Sequence, residues 1–300
     1  MNATYKSTPH PEVSEPGTQQ RWQVGPYAVY GDDWPAPWVD YADRNFHRIE
    51  LQGGMHALRV ELGEVAVGAS GPQTALGGTL EIRRTDDGCF EVETPDILHA
   101  KLDLTHLRLR IDLLGFATAP ELNYGNALRA AVSVALPLHF DGLMFHASSG
   151  ILDGKGVFFP GISTAGKTTL ALGFKKVTYI SDDISLTRDL LRAPRLSASP
   201  FFGIAGRRGA NEDAPLAAVG VLVRKNPEKT TLVRLSTKDA LKELMRHAVC
   251  WSHDAMVQAA IFTRVHNLIE QVPVFAVERF IGDSSDEVME QVLEAAAKSN

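Results

Sequence analysis

The chain has almost no cysteine: Cys89 and Cys250 are the two in 300 residues. Far apart in sequence, they can form neither a disulfide framework nor a CxxC redox or zinc pair, and free thiols fit the reducing cytoplasm expected for this protein. Basic excess is missing as well. Thirty Lys and Arg stand against 36 Asp and Glu, a net charge of -6. That balance excludes a chain-wide footprint for nucleic acid or an anionic membrane surface. Long apolar runs are absent: the richest, Ala130 to Phe140, is broken by Ser133, Pro137 and His139 and is too short to span a bilayer. The first twenty residues carry no apolar segment behind a basic lead, so no signal peptide is expected there. The ten histidines include no HExxH and no i, i+4 pair, which argues against a zinc hydrolase. Ser148-Ser149 lacks a G-x-S-x-G elbow, which argues against an α/β-hydrolase.

The remainder is ordinary globular material, 44% apolar and 22% charged. Residues 1–20, with Pro9, Pro11 and Pro16 among polar neighbours, read as a disordered tail. Residues 21–119 read as a small, β-rich, antiparallel layer. Alternation marks Leu58–Leu62, Leu80–Arg84 and His106–Ile111, and Asp87-Gly88 signals a hairpin. Trp34-Pro-Ala-Pro-Trp38 reads as tryptophan packed on proline. The texture changes at Pro120, a suitable first-turn residue for a helix that Pro137 should stop. A strand Leu143–Leu152 follows, then a two-residue Asp153-Gly154 turn and a second strand, Gly156–Pro160. Further strands are expected at 177–181, 218–223 and 231–235. Helices are expected at 237–249, capped by Ser236, and at 286–297. These elements make an α/β core over residues 120–300, entered by an antiparallel hairpin.

The chemistry is carried by Gly161-Ile-Ser-Thr-Ala-Gly-Lys-Thr168, a match to G-x-x-x-x-G-K-[ST] between a strand and a helix. Glycines at Gly161 and Gly166 let backbone N–H groups close around phosphate. Ser163, Thr164, Ala165 and Thr169 complete the candidate phosphate-binding set. Lys167 can neutralise phosphate oxygens, and the Thr168 hydroxyl can ligate Mg²⁺. Asp182-Asp183 closes the apolar run Val177 to Ile180, where a metal ion and a phosphoryl acceptor would meet. His146, inside the apolar strand that precedes the loop, is either a core histidine or part of the site.

His146-Ala-Ser-Ser-Gly, Asp153-Gly-Lys-Gly-Val-Phe-Phe-Pro with the following loop, and Tyr179-Ile-Ser-Asp-Asp-Ile together resemble the HPr serine kinase/phosphorylase C-terminal-domain family. More closely, they resemble its HPr-kinase-related members within the phosphoenolpyruvate-carboxykinase-like superfamily. The strong likeness covers residues 143 to 187. It implies a P-loop kinase core with a mixed sheet, ATP as donor and Mg²⁺ as cofactor. Asp183 would be the residue that accepts the proton of an attacking serine hydroxyl, His146 would lie beside the transferring phosphate, and Thr168, Asp182 and Asp183 would be near the metal. The acceptor would be serine on a protein or peptide, or a small hydroxyl compound. The family assembles as oligomers, so self-association is implied too. The N-terminal half shows no likeness to that family's N-terminal domain. Phe201-Phe-Gly-Ile-Ala-Gly-Arg207-Arg208-Gly stands where the family's phosphorolysis signature would be, so HPr as substrate and the reverse reaction are not implied. Arg207 and Arg208 are candidates for a phosphate or acidic-acceptor clamp. A nucleotide-binding module without transfer is the alternative reading. A carboxykinase would need an oxaloacetate site for which no residues stand out.

Overall fold

The computed structural model describes residues 21–32, 34–50, 56–65, 80–95, 97–113, 120–203, 206–225 and 227–299. The expected N-terminal tail lies outside them. The first layer contains β1 (Trp22–Val24), β2 (Tyr27–Tyr30), α1 (Ala36–Asn45), β3 (His47–Arg48), β4 (His56–Val65), β5 (Glu81–Arg84), β6 (Phe90–Thr94), β7 (Leu98–Asp103) and β8 (Arg108–Leu113). Its strands form one eight-stranded sheet in the order β3-β1-β2-β4-β8-β7-β6-β5. The expected small antiparallel layer is therefore corrected in two respects. The sheet is large, and β4 runs parallel to both β2 and β8. Alternation reveals which residues face the core but not which way a neighbouring strand runs. The Trp34–Trp38 segment packs inward. Trp34 stacks on Trp22 at 4.9 Å and meets Trp38 edge-on at 5.5 Å, and Trp38 is fully buried.

Helix α2 (Pro120–His139) follows. It runs three residues beyond the expected stop, because Pro137 removes one backbone donor without ending the turn. Leu136 carbonyl accepts from Phe140 and Gly142 just past the helix. The stretch Ala127–Leu136 is apolar on all sides and buried apart from Arg129, as expected of a helix enclosed by neighbours.

The second layer is built from β9 (Leu143–Leu152), β10 (Lys155–Pro160), α3 (Lys167–Leu172), β11 (Thr178–Ser181), β12 (Ile184–Arg188), β13 (Arg195–Ser197), β14 (Ala214–Val223), β15 (Thr231–Arg234), α4 (Thr237–His247), α5 (Ala255–Gln271), β16 (Val274–Glu278) and α6 (Ser285–Ala297). Strands β9 and β10 form the expected hairpin, with Leu152 opposite Lys155. Asp153 (φ 50°) and Gly154 (φ 72°) are both left-handed, the conformation that a two-residue turn between twisted strands requires. Strands β10, β9, β12, β13 and β14 close on themselves through a parallel β10–β14 pairing. Strands β16 and β15 extend the sheet from β14. The result is a mixed α/β architecture. Helices α2, α4 and α5 contribute to one hydrophobic core shared with the first sheet, whereas α3 and α6 pack in a second core on β10, β14 and β16.

Candidate active site

Strand β10 delivers the chain to Gly161, which is bridged to Leu222 of β14. The loop then turns back through left-handed Thr164 (φ 69°) and Gly166 (φ 93°). Nothing lies within 4 Å of the place a Gly166 side chain would take, so it is the backbone angle that selects glycine there. Ile162, Ser163 and Thr164 are exposed, Ala165, Gly166 and Thr168 are half-buried, and Thr169 is exposed. Among the described residues, no acceptor takes the N–H of Gly166, Lys167 or Thr168. Lys167 folds under the loop. It is 7% exposed, and its Nζ donates to the carbonyls of Gly161 (2.8 Å) and Ile162 (3.1 Å). Burial lowers its pKa, and the charge of Asp183 partly offsets that.

Asp183 is placed by the step from β11 to β12. The two strands pair with different stretches of β9, so the chain must kink between them. Ser181 Oγ holds the kink, accepting from the N–H of Asp183 (3.3 Å) and Ile184 (3.2 Å). Ala147 N–H bonds the Asp183 carbonyl at 2.9 Å. The β9–β12 register sets Ile184 opposite His146, which brings the histidine to the acid. His146 Nδ1 lies 3.2 Å from Asp183 Oδ1. Arg129 Nη1 approaches the other oxygen at 3.9 Å. Burial by itself raises the Asp183 carboxyl. The His146 hydrogen bond and the charges of Arg129, His146 and Lys167 outweigh it and hold the group below its ordinary value.

Asp182 has a different place. It is 1% exposed, and its Oδ1 accepts from the Tyr179 hydroxyl and from Gly203 N–H, each at 2.9 Å. It ties the glycine-rich segment after Phe201 to β11. Burial first, and then Asp182, push the Tyr179 phenol well up. Arg207 stacks over the Tyr179 ring at 4.8 Å. Arg208 donates to the carbonyls of Asp43 (3.2 Å) and Phe46 (2.8 Å). Arg208 thus ties the segment to the first layer, and Arg207 ties it to β11. Among the described residues, the one trio with ligand atoms close enough to hold a metal is Glu91, Glu93 and His99, on the first sheet, where Arg83 already pairs with Glu93 at 2.6 Å.

The structure therefore brings Lys167, His146 and Asp183 into one site, and adds two residues that the sequence reading passed over. His247, the last residue of α4, is 6% exposed. The segment after it lies along β9, with Val249 N–H on the Met144 carbonyl at 2.8 Å and Ala248 bridged to Phe145. Burial, then the charges of Lys167, His146 and Arg246, push its imidazole down to about 4. Arg129 is the only Asp, Glu, Lys or Arg between Glu121 and Asp141, and a charge inside an apolar helix was the signal that could have found it. His247 left no such signal in its amphipathic helix.

No family model and no curated protein matches the sequence. Among solved structures the chain is similar to the Hpr(Ser) kinase/phosphatase from Coxiella burnetii, at 11% identity, over 52% of this chain and 91% of that one, with a TM-score of 0.30. No described helix is long and apolar enough to cross a membrane.

Proposed function

We propose that the chain is a phosphotransferase that takes ATP with Mg²⁺ at the Gly161–Thr168 loop and moves phosphate to a hydroxyl group, serine on a protein or peptide being the leading acceptor. One observation carries the reading. Asp183 is held ionised beside His146, within the field of the loop lysine. A module that only binds nucleotide would use the lysine and the loop amides but would not need an ionised acid set against them. On this reading residues 120–300 carry the site and the first layer supports it.

The work of each residue follows from its surroundings. Lys167 gives up two neutral carbonyls for anionic oxygens, and charge-assisted hydrogen bonds are the stronger kind. The unpartnered amides of Gly166 and Lys167 offer further donors to the same anion. Asp183, ionised at neutral pH, orients the acceptor hydroxyl and takes its proton. His146 fixes the carboxylate through Nδ1 while part of its ring stays exposed. When bound, Mg²⁺ would neutralise phosphate charge, and Thr168 and Asp183 are the oxygen ligands the site offers it. Asp182 supports the arrangement by fixing Gly203.

The test is calorimetric binding of MgATP to the wild-type chain, Lys167→Ala and Asp183→Asn, paired with transfer of labelled phosphate to serine peptides. Lys167→Ala should lose binding. Asp183→Asn should keep binding and lose transfer by about a hundredfold or more. Equal transfer by Asp183→Asn would remove the acid from the mechanism, and nucleotide binding with no acceptor ever labelled would overturn the kinase assignment and leave a binding module in its place.

A further inference from the structure

Arg129 is anchored in an unusual way for a guanidinium. Its plane lies over the Phe201 ring at 5.3 Å. Its Nε is buried with no partner, and among the described residues it donates no hydrogen bond at all. The 3.9 Å to Asp183 is an ion-pair separation, longer than a hydrogen bond. The side chain still keeps 28% of its surface open. Its outer N–H donors, beside the acid and over an aromatic ring, form a fork for a planar or tetrahedral anion.

The arginine's position says which anion. Arg129 reaches Asp183 from α2, against Phe201. Phe201 is itself fixed by the kink that presents Asp183, since Ser181 Oγ donates to its carbonyl at 3.0 Å. Arg129 and Asp183 are thus mounted on one support, so a hydroxyl that gives its proton to Asp183 comes within reach of the arginine. We propose that Arg129 is an acceptor-binding residue, and that the acceptor carries an anionic group next to the hydroxyl that is phosphorylated. The inference rests on the kinase reading and narrows its substrate class to acidic hydroxyl compounds: a serine flanked by acidic side chains, or a small hydroxy acid.

The experiment measures incorporation of labelled phosphate from MgATP into matched probes by the full chain. One pair is a serine peptide flanked by glutamates against the same peptide with glutamines. The other is free serine against serinamide. The acidic member of at least one pair should be labelled about tenfold or more above its neutral partner, as loss of a charge-assisted bond predicts. The pair that discriminates identifies peptide or small molecule as the source of the anion. Arg129→Gln should bring the acidic member down to the neutral one by raising KM, and Arg129→Lys should recover part of the difference, which a packing role alone would not. Equal labelling within both pairs overturns the proposal, as does discrimination that survives in Arg129→Gln. A wild-type chain that binds MgATP yet labels no probe also overturns it. A wild-type chain that binds no MgATP overturns the kinase reading beneath it.

Discussion

His247 makes the site sensitive to acid from within. Its imidazole is buried, and although Glu243 lies 4.0 Å from Nε2, burial and the charges of Lys167, His146 and Arg246 outweigh it, so the folded chain binds that proton only near pH 4, against 6.5 for an ordinary histidine. Between those values the unfolded state holds more protons than the folded one, so stability falls as pH falls, and the loss levels off below about 4. For this group alone the loss between pH 7 and pH 5 is about 2 kcal/mol. Asp183 acts lower. Its folded pKa is depressed, so its contribution is present above the ordinary carboxylate range and vanishes as pH falls through the lowered value. The two windows separate, and urea unfolding at pH 7 and 5 isolates the histidine. Wild type should lose that increment and His247→Gln should not; parallel losses would refute the assignment. At this scale the sequence showed what is local. Lys167, Thr168 and the acid pair follow from a contiguous motif and a strand end. Arg129 and His247 reach the site through helix packing and a strand-like pairing along β9, which no short-range pattern encodes.

At the scale of elements, local turn chemistry was legible and pairing was not. Asp153-Gly154 could be read because a two-residue turn demands left-handed residues, and Ser236 because its hydroxyl accepts from Asp239 N–H. Helix α5 went unread, though Asp254 caps it through the N–H groups of Met256 and Val257. The docking of α6 was equally hidden. Its first turn presents Asp286, buried, whose carboxylate accepts from the N–H of Lys175 (3.0 Å), Lys176 (3.1 Å) and Val177 (3.4 Å). These are the residues joining α3 to β11, so the C-terminal helix braces the span between the loop lysine and the acid pair. Asp286→Ala removes the shared acceptor of three N–H groups, of which that of Val177 is buried, and bonds to a charged acceptor are the costly ones to remove. The expected cost is about 3 kcal/mol in urea unfolding, with Asp286→Asn intermediate. A change under about 0.5 kcal/mol, the ordinary range of surface substitutions, would show that α6 is held by its apolar face alone.

Across the whole molecule the question is whether the first layer is a passenger or a support. One buried cluster runs from Trp22, Trp38 and Val92 through Ala131 and Leu136 of α2 to Phe145, Leu186 and Val265. Helix α2 is the shared wall, buried from Ala127 to Leu136 apart from Arg129. Polar contacts tie the same surfaces beside the site: Arg208 to the Asp43 and Phe46 carbonyls, and His47 Nε2 to the Gly209 carbonyl at 2.8 Å. The segment so held is the one that Asp182 and Tyr179 grip from the other side. Residues that read in sequence as two regions, joined near Pro120, should therefore melt together. Three of the four tryptophans, Trp22, Trp34 and Trp38, lie in the first layer, so with Trp251→Phe tryptophan fluorescence becomes a probe of that layer, while helical ellipticity comes mainly from α2, α4, α5 and α6. In urea the two signals should follow one transition, because losing the first layer would expose the apolar flank of α2, a cost that grows with the area uncovered. Fluorescence that changes at lower urea than ellipticity would mean the contacts across α2 are weak. The site's α2 residue, Arg129, would then have to keep its place without the first sheet behind it.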